Sequence, residues 1–188
     1  YFKISKEYPF YPGLDKILFF FSYNLKQMGE LEDAIAISQK LVRDFPESKY
    51  ALSSSIAIAD AKFANEDVNG ALEMYQTVAA SGSTDPNIGY AMYKIGWCYF
   101  NLGEPKKALA QFEQVIKYQD EVGGSKSLRE EAVKDLVKAF SLWDAGDPRK
   151  ARNYFTKFVG GDKDQTDGLM ERLAQFYQEA GNIPNAVF

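Results

Sequence analysis

The sequence predicts an all-α protein in which antiparallel helical hairpins repeat along the chain. Five alanines recur at spacings of 37, 37, 43 and 35 residues, and periods of this size are typical of stacked supersecondary units. Two turns, Gly103-Glu104-Pro105 and Gly146-Asp147-Pro148, end one helix with glycine and begin the next with proline. Turns this short require the paired helices to run antiparallel. The alanines that set the period are Ala34, Ala71, Ala108, Ala151 and Ala186.

The first two hairpins are indicated by their helix-end signals. Leu14–Gln27 is predicted as a helix that stops at Gly29, where a left-handed backbone suits glycine. The next helix, residues 31–45, ends ahead of Pro46, which cannot continue it. The same pattern returns in two further helices, residues 49–65 and 68–80.

The remaining predicted helices follow the same pattern and include two longer links. Residues 120–126 and 160–166 are expected to be exposed loops, and the first of them accounts for the 43-residue step. The helices are residues 86–101, 105–118, 127–143, 148–158 and 166–180, with a last one that starts near Ile183.

These helices group into one array over residues 1–188. Residues 6–9 resemble residues 43–46 at an offset of 37, so residues 1–10 are expected to be the end of a preceding repeat. Neither end carries an evident polar capping repeat, and we expect the natural protein to be longer. The predicted repeats are residues 12–47, 49–82, 86–120 and 126–160, with a truncated repeat at residues 166–188.

The composition argues against several classes of function. Histidine, the commonest general acid–base group and metal ligand, is absent from the sequence. The single cysteine, Cys98, lies in a predicted helix and is interpreted as a small buried hydrophobe. A net charge of -4 gives no electrostatic basis for nucleic-acid binding. No apolar run reaches the length of a membrane span.

Two segments are similar to ligand-binding loops but lack residues that such loops require. Residues 162–168 are similar to a calcium-binding loop, yet the glycine comes one residue late and Leu173 stands where a bidentate glutamate belongs. We interpret this segment as a solvated loop with a helix cap at Thr166 or Asp167. Residues 123–127 contain a Gly-Lys-like element without the full phosphate-loop spacing and are interpreted as a flexible connector. No catalytic residue, metal or cofactor is predicted.

The repeats resemble the tetratricopeptide repeat family over essentially the whole chain. Three repeats depart from the family pattern: Ser38 replaces an aromatic residue, Glu66 replaces the turn glycine, and Lys138 stands at an apolar place. The third repeat carries the pattern most fully, in Ile95, Gly96, Tyr99, Gly103, Ala108 and Phe112, with Met92 where tryptophan is usual.

Small residues on the first helix of each pair indicate where the two helices of a hairpin approach closely. Their expected partners across the hairpin are the five period-setting alanines. A bulkier side chain at such a contact would overpack it and lower the stability by about 1–3 kcal/mol. The small residues are Ala59, Gly96, Ala139 and Ala174.

The resemblance implies a right-handed α-solenoid whose concave face is lined by the first helix of each pair. Nine aromatic residues of the sequence map to this face. Aromatic side chains dominate the binding energy of many interfaces. The predicted partner-binding residues are Phe19, Tyr23, Phe63, Tyr90, Tyr93, Trp97, Phe100, Phe140 and Trp143. Two other readings stay open: these rings belong to the core, or a neighbouring element of the same longer chain fills the groove.

The implied function is a non-catalytic scaffold that binds a peptide or protein segment. Some members of the family hold acidic peptide tails with a basic clamp, but here Lys26 is the only cation at the matching places. An apolar or amphipathic segment is therefore the expected partner. The alternatives are an accessory or regulatory domain of a longer enzyme, and a rigid spacer. The sequence does not indicate an oligomeric state.

Residues 43–51 are similar to repeats of bacterial envelope proteins, such as outer-membrane assembly lipoproteins and motility-complex scaffolds. This likeness implies a periplasmic or outer-membrane-associated location, with the cytoplasm as the alternative.

Overall fold

The computed structural model describes Glu7 and residues 11–82, 85, 87–143 and 147–187. These residues form helices joined by turns, and no strand occurs among them. The chain folds as two compact units, residues 1–91 and 92–188, divided within the fifth helix. The expected repeat end at residues 1–10 lies outside the described residues, apart from Glu7.

The first unit is built from successive antiparallel helices. Helix α1 packs on α2, α2 on α3, and α3 on α4. Leu14 and Leu18 of α1 meet Leu41 of α2 and Ala51 of α3 in a buried cluster. The helices are α1 (Leu14–Gln27), α2 (Leu31–Asp44), α3 (Ala51–Ala64), α4 (Val68–Ala79) and the beginning of α5 (Asn87–Asn101).

The second unit continues with the rest of α5 and the helices that follow. Helix α7 packs on α6, and α9 contacts α7, α8 and α10. A single buried cluster runs through these helices and includes Phe112, Leu136, Phe155 and Leu173. The helices are α6 (Pro105–Val122), α7 (Lys126–Ser141), α8 (Pro148–Thr156), α9 (Lys163–Glu179) and α10 (Ile183–Ala186), with a 3-10 turn at Lys157–Val159.

The period-setting alanines lie at the helix contacts. Ala71, Ala108 and Ala151 are fully buried, and Ala34 nearly so, whereas Ala186 is half-buried. The closest approach is seen at Gly96 of α5, where an added Cβ would lie 2.6 Å from the ring of Phe112 on α6. The group that limits Gly96 is thus a buried aromatic ring one turn beyond Ala108. The expected close contact is present, with a different partner.

The turns within hairpins share one geometry. Gly29, Gly103 and Gly181 have φ values of 86°, 72° and 73°, and Glu66 occupies the same place with φ of 63°. In each turn the residue after this position donates its backbone N–H to the carbonyl five residues back, over 2.7–3.0 Å. This bond is the mark of a Schellman helix end. The remaining predicted turn glycine, Gly146, lies outside the described residues.

The link expected at residues 120–126 is shorter than predicted. Helix α6 continues to Val122 and ends at Gly123, which has a left-handed backbone. The side-chain oxygen of buried Gln119 accepts the backbone N–H of Ser125 at 2.7 Å, and the Ser125 hydroxyl caps α7 by accepting from the backbone N–H of Leu128. The connector is therefore held by specific hydrogen bonds.

Helix α9 begins earlier than predicted, and the cap expected at Thr166 or Asp167 is wrong. Asp162 is the cap, because its carboxylate accepts the backbone N–H of Gln165 at 2.9 Å. Thr166 lies inside the helix, is buried, and donates to the Asp162 carbonyl. Two left-handed glycines, Gly160 and Gly161, turn the chain before the helix and leave Asp162 as the first capping side chain.

The turn at Glu66 gives a stability prediction. A side chain in the left-handed region costs about 1–2 kcal/mol, which glycine avoids. Glycine also gains backbone entropy in the unfolded state, which offsets part of this benefit, so Glu66→Gly should raise the free energy of unfolding by about 0.5–1 kcal/mol. Urea denaturation measures it. Gly103→Ala, at the equivalent turn, should be less stable than the wild type. A Glu66→Gly protein that is no more stable than the wild type would contradict the assignment of backbone strain to Glu66.

The contact at Gly96 gives a second stability prediction. Gly96→Ala should lower the free energy of unfolding by about 1–3 kcal/mol, because the new methyl group meets the immobile Phe112 ring. Gly168→Ala is the matched control: this glycine of α9 has no group within 4 Å of an added Cβ. Its replacement should raise stability by about 0.5–1 kcal/mol through helix propensity alone. Changes of equal sign in the two variants would refute the close approach.

Candidate partner-binding surfaces

The second unit carries an aromatic cluster on α5, composed of Tyr93, Trp97 and Phe100. The three side chains are half-buried and pack with one side against the core of the unit. The Trp97 and Phe100 rings meet edge to face, with centroids 5.3 Å apart. We refer to these residues as the α5 aromatic cluster.

A carboxylate on α7 holds two members of this cluster. The Tyr93 hydroxyl and the Trp97 indole N–H both donate to the Oδ2 atom of Asp135, the latter over 3.1 Å. Burial raises the pKa of Asp135, and the two donated hydrogen bonds and Lys138 oppose that rise. Burial, and then the hydrogen bond to Asp135, raise the pKa of Tyr93, so the phenol keeps its proton. The polar edges of both rings are thus satisfied within the unit.

Lys138 is the charged residue at a place where an apolar one was expected, and its contact with aromatic rings accounts for it. Its ammonium nitrogen lies 5.2 Å from the Trp97 ring centroid and 5.1 Å from that of Phe100. A cation at this distance from aromatic rings is attracted by their quadrupoles. Lys138 therefore covers part of the α5 aromatic cluster.

The two predicted site residues at the end of α7 have different surroundings. Phe140 is only 4% exposed and contacts the rings of Tyr154 and Phe155. It is a core residue, so its prediction as a partner contact needs correction. Trp143 lies beyond the last residue of α7, is half-buried, and has its ring 6.2 Å from that of Phe140.

In the first unit a second carboxylate, that of Asp60, organises tyrosine side chains. The hydroxyls of Tyr75 and Tyr90 both donate to its Oδ1 atom, that of Tyr90 over 3.1 Å. Tyr75 is buried and Tyr90 half-buried. Burial, followed by the charge of Asp60, raises the pKa of Tyr90, so this phenol also stays protonated.

The other predicted aromatics of the first unit differ in their exposure. Phe19 is half-buried and stacks on Tyr50, with centroids 4.8 Å apart. Phe63 is half-buried, whereas Tyr23 is 53% exposed and offers most of its ring to solvent. Tyr23 is therefore the most accessible of the predicted partner-binding residues.

Neither Asp135 nor its role was expected from the sequence. An aspartate in a helix with charged neighbours is usually solvated, and α7 also contains Glu130, Glu131 and Lys134. The one available signal is its position on the helix, because Asp135 lies three residues before Lys138 and both therefore share a face.

The described residues contain no group of three or more histidine, cysteine, aspartate or glutamate side chains arranged to hold a metal ion. Cys98 is fully buried, as expected, and burial raises the pKa of its thiol to about 11. The thiol therefore stays protonated near neutral pH and is a poor nucleophile. Among the described helices, none combines the length and apolar character needed to cross a bilayer.

The raised pKa of Asp135 gives a pH prediction. The folded state keeps this proton to a higher pH than the unfolded chain, whose value is near 3.8. The free energy of unfolding of the wild type should therefore fall relative to that of Asp135→Asn as the pH rises above 3.8, and then level off. Urea denaturation of both proteins across this range measures the difference.

Asp162 is the control with the opposite sign. Its hydrogen bonds to the backbone and side chain of Gln165 lower its pKa, so its contribution is lost as the pH falls through the folded-state value. The wild type should gain stability relative to Asp162→Asn as the pH rises. If both comparisons slope the same way, the description of Asp135 as a desolvated carboxylate is wrong.

Comparisons with known proteins agree with this architecture. The family model of the tetratricopeptide repeat matches residues 22–48 and 90–120. No curated protein matches the sequence.

Solved structures share the fold at low sequence identity. A putative kinesin light chain from Podosopora anserina with nearly identical TPR-like repeats is similar at 19% identity and a TM-score of 0.65, over 95% of this chain and 92% of that one. YrrB, described as a TPR protein with an unusual peptide-binding site, is similar at 18% identity and a TM-score of 0.60, over 90% of this chain and 79% of that one. The predicted all-α solenoid fold is thereby confirmed, and two segments of the chain match the tetratricopeptide repeat model.

Proposed function

We propose that this protein is a non-catalytic scaffold that binds a peptide or protein segment through aromatic side chains on the first helices of its hairpins. The observation that carries the proposal is the α5 aromatic cluster, in which the Tyr93 and Trp97 rings are held by one carboxylate while their side chains remain partly exposed. The fold is consistent with this role, because tetratricopeptide repeat proteins bind protein or peptide partners.

The cluster has the properties of a preorganised contact surface. The hydrogen bonds to Asp135 fix the orientation of two large rings before a partner arrives. Ordering such side chains on binding otherwise costs about 0.5–1.5 kcal/mol each. A ring that is already fixed contributes its apolar area with less loss of entropy. Tryptophan and tyrosine are also among the residues most enriched in binding hot spots.

The partner that suits this surface is apolar or amphipathic. The polar atoms of Tyr93 and Trp97 are occupied by Asp135, so what the cluster offers is mainly ring surface. Asp135 and Asp60 place negative charge beside the aromatic residues of each unit, which disfavours an acidic tail. Lys138 is the cation in direct contact with the rings and can pair with a single carboxylate of an amphipathic segment.

We place this activity in a bacterial envelope or motility assembly, in the periplasm or at the outer membrane. The support is the likeness of residues 43–51 to repeats of such proteins. That YrrB is described as having a peptide-binding site supports the general role of a scaffold of this fold.

Site-specific photo-crosslinking in the native cells tests the proposal. A photoreactive phenylalanine analogue at position 23 or 143 should give adducts with a partner, because Tyr23 is exposed and Trp143 is a half-buried ring at the end of α7 in the same unit as the cluster. The same analogue in place of exposed Gln39 on α2 or Asn153 on α8 should give none, since both residues lie on second helices and are not part of the proposed surface. Mass spectrometry of the adducts identifies the partner.

A second arm separates binding from a fold effect. The adduct at position 143 should disappear in a Tyr93→Ala/Trp97→Ala background whose helical circular dichroism is unchanged. Adducts that form equally from all four positions, or that persist in the double variant, argue for binding elsewhere. The absence of adducts at positions 23 and 143 supports a rigid spacer and counts against the proposal.

A further inference from the structure

The first hairpin lacks the buried aromatic ring that the next three hairpins contain. Ser38 of α2 occupies the place held by Tyr75, Phe112 and Phe155, at spacings of 37, 37 and 43 residues. Each of these three rings is fully buried. The facing small residue is also a serine, Ser22 of α1, where the later hairpins have Ala59, Gly96 and Ala139. Two serines therefore replace a small residue and a ring.

The two serines satisfy each other. The Ser22 hydroxyl donates to the Ala34 carbonyl at 2.8 Å, and the hydroxyl oxygens of Ser22 and Ser38 lie 2.6 Å apart. Since Ser22 has already given its only proton, Ser38 must be the donor between them. The pair is buried without unmet donors, at 9% and 2% exposure. It bonds the two helices but does not fill the volume that a ring would occupy.

A cavity of about 490 Å³ lies at this place, between α1, α2 and α3. This volume falls within the range of small-molecule sites. Its lining includes both serines and an apolar wall formed by Ile35 and four alanines, Ala34, Ala57, Ala61 and Ala64. Lys26, Leu31, Glu32 and Asn65 also line it and are exposed, so they lie on its solvent side. We call this space the first-hairpin cavity.

We propose that the first-hairpin cavity binds an aromatic side chain of the partner segment, which supplies in trans the ring that Ser38 does not. The apolar wall suits a ring, and the later hairpins show that this place in the repeat accommodates one. The inference deepens the proposed function, because the ring would belong to the segment that the scaffold binds. Lys26 and Glu32 at the solvent side would contact the polar residues that flank it.

Asp60 gives the cavity a preference among rings. Asp60 is one of the residues that line the cavity, and both tyrosine hydroxyls that donate to its carboxylate do so through Oδ1. The Oδ2 atom accepts neither of these bonds and can accept a further donor. A tyrosine or tryptophan side chain should therefore bind more tightly than phenylalanine.

The test uses side-chain analogues and the purified protein. Binding of p-cresol and toluene is followed by chemical-shift perturbation, with residues 22–65 as the expected responding region. We expect saturable binding of p-cresol with a dissociation constant of about 1 mM or lower, and weaker binding of toluene. An engineered apolar cavity that binds benzene is the precedent for such a measurement. The absence of saturable binding of either compound overturns the proposal.

Three variants make the test specific. Ser38→Phe places a ring in the gap and should abolish binding while raising the midpoint of thermal unfolding. Ser38→Ala removes the hydroxyl without filling the space and should still bind. If Ser38→Phe does not fold, Ala61→Phe on the opposite wall decides, since it also blocks the cavity. Binding that is unchanged in the folded blocking variants refutes the site.

The outcome is independent of the crosslinking experiment. The analogues need no natural partner, so they can bind even when no adduct forms at positions 23 and 143. That combination of results would count against the scaffold function and not against the cavity. Adducts without analogue binding would leave the scaffold function supported and overturn the cavity as its recognition site.

Discussion

The structure depends on the close approach of the two helices in each hairpin. Gly96 shows the constraint most sharply, because a single added carbon would collide with the Phe112 ring. A small residue on the first helix and a buried ring on the second fix the separation and register of the pair. On α5 the side chains of Tyr93 and Trp97 border this contact, with their ring centroids 5.8 and 6.3 Å from that of Phe112. The packing of Gly96 against Phe112 thus also helps to position the α5 aromatic cluster.

The first hairpin meets the same constraint by different chemistry. A hydrogen-bonded serine pair joins α1 to α2 where the later hairpins use a ring. A hydrogen bond of this kind contributes about 1 kcal/mol net, whereas burying a large side chain contributes about 1.5–3 kcal/mol. The serine pair therefore stabilises its hairpin less than a buried ring would, and it leaves an unfilled volume. This hairpin therefore keeps room for a ligand between its helices and α3.

Most of the fold could be predicted because its signals are local. The turn positions Gly29 and Gly103 need only their own backbone conformation, and α1 begins and ends as the sequence indicates. The start of α9 could not be predicted, because two left-handed glycines gave the capping role to Asp162. The candidate site was harder, since the burial of Phe140 depends on rings contributed by α8 and the role of Asp135 depends on partners from α5. Such contacts join residues that are distant in the sequence.

In the α5 aromatic cluster, opposing electrostatic effects act on the carboxylate of Asp135. They limit which partners can bind the cluster. Asp135 is half-buried, so its ionised form loses solvation, and two donated hydrogen bonds together with Lys138 compensate for that loss. A partner that covers the rings must either lie beside the Lys138 ammonium or displace it from them. Displacement would remove a cation that stabilises the Asp135 charge and would raise the pKa of that carboxyl further. An apolar group that packs beside Lys138, followed by a carboxylate that pairs with it, leaves this balance intact. The electrostatics therefore favour an amphipathic segment over a wholly apolar one.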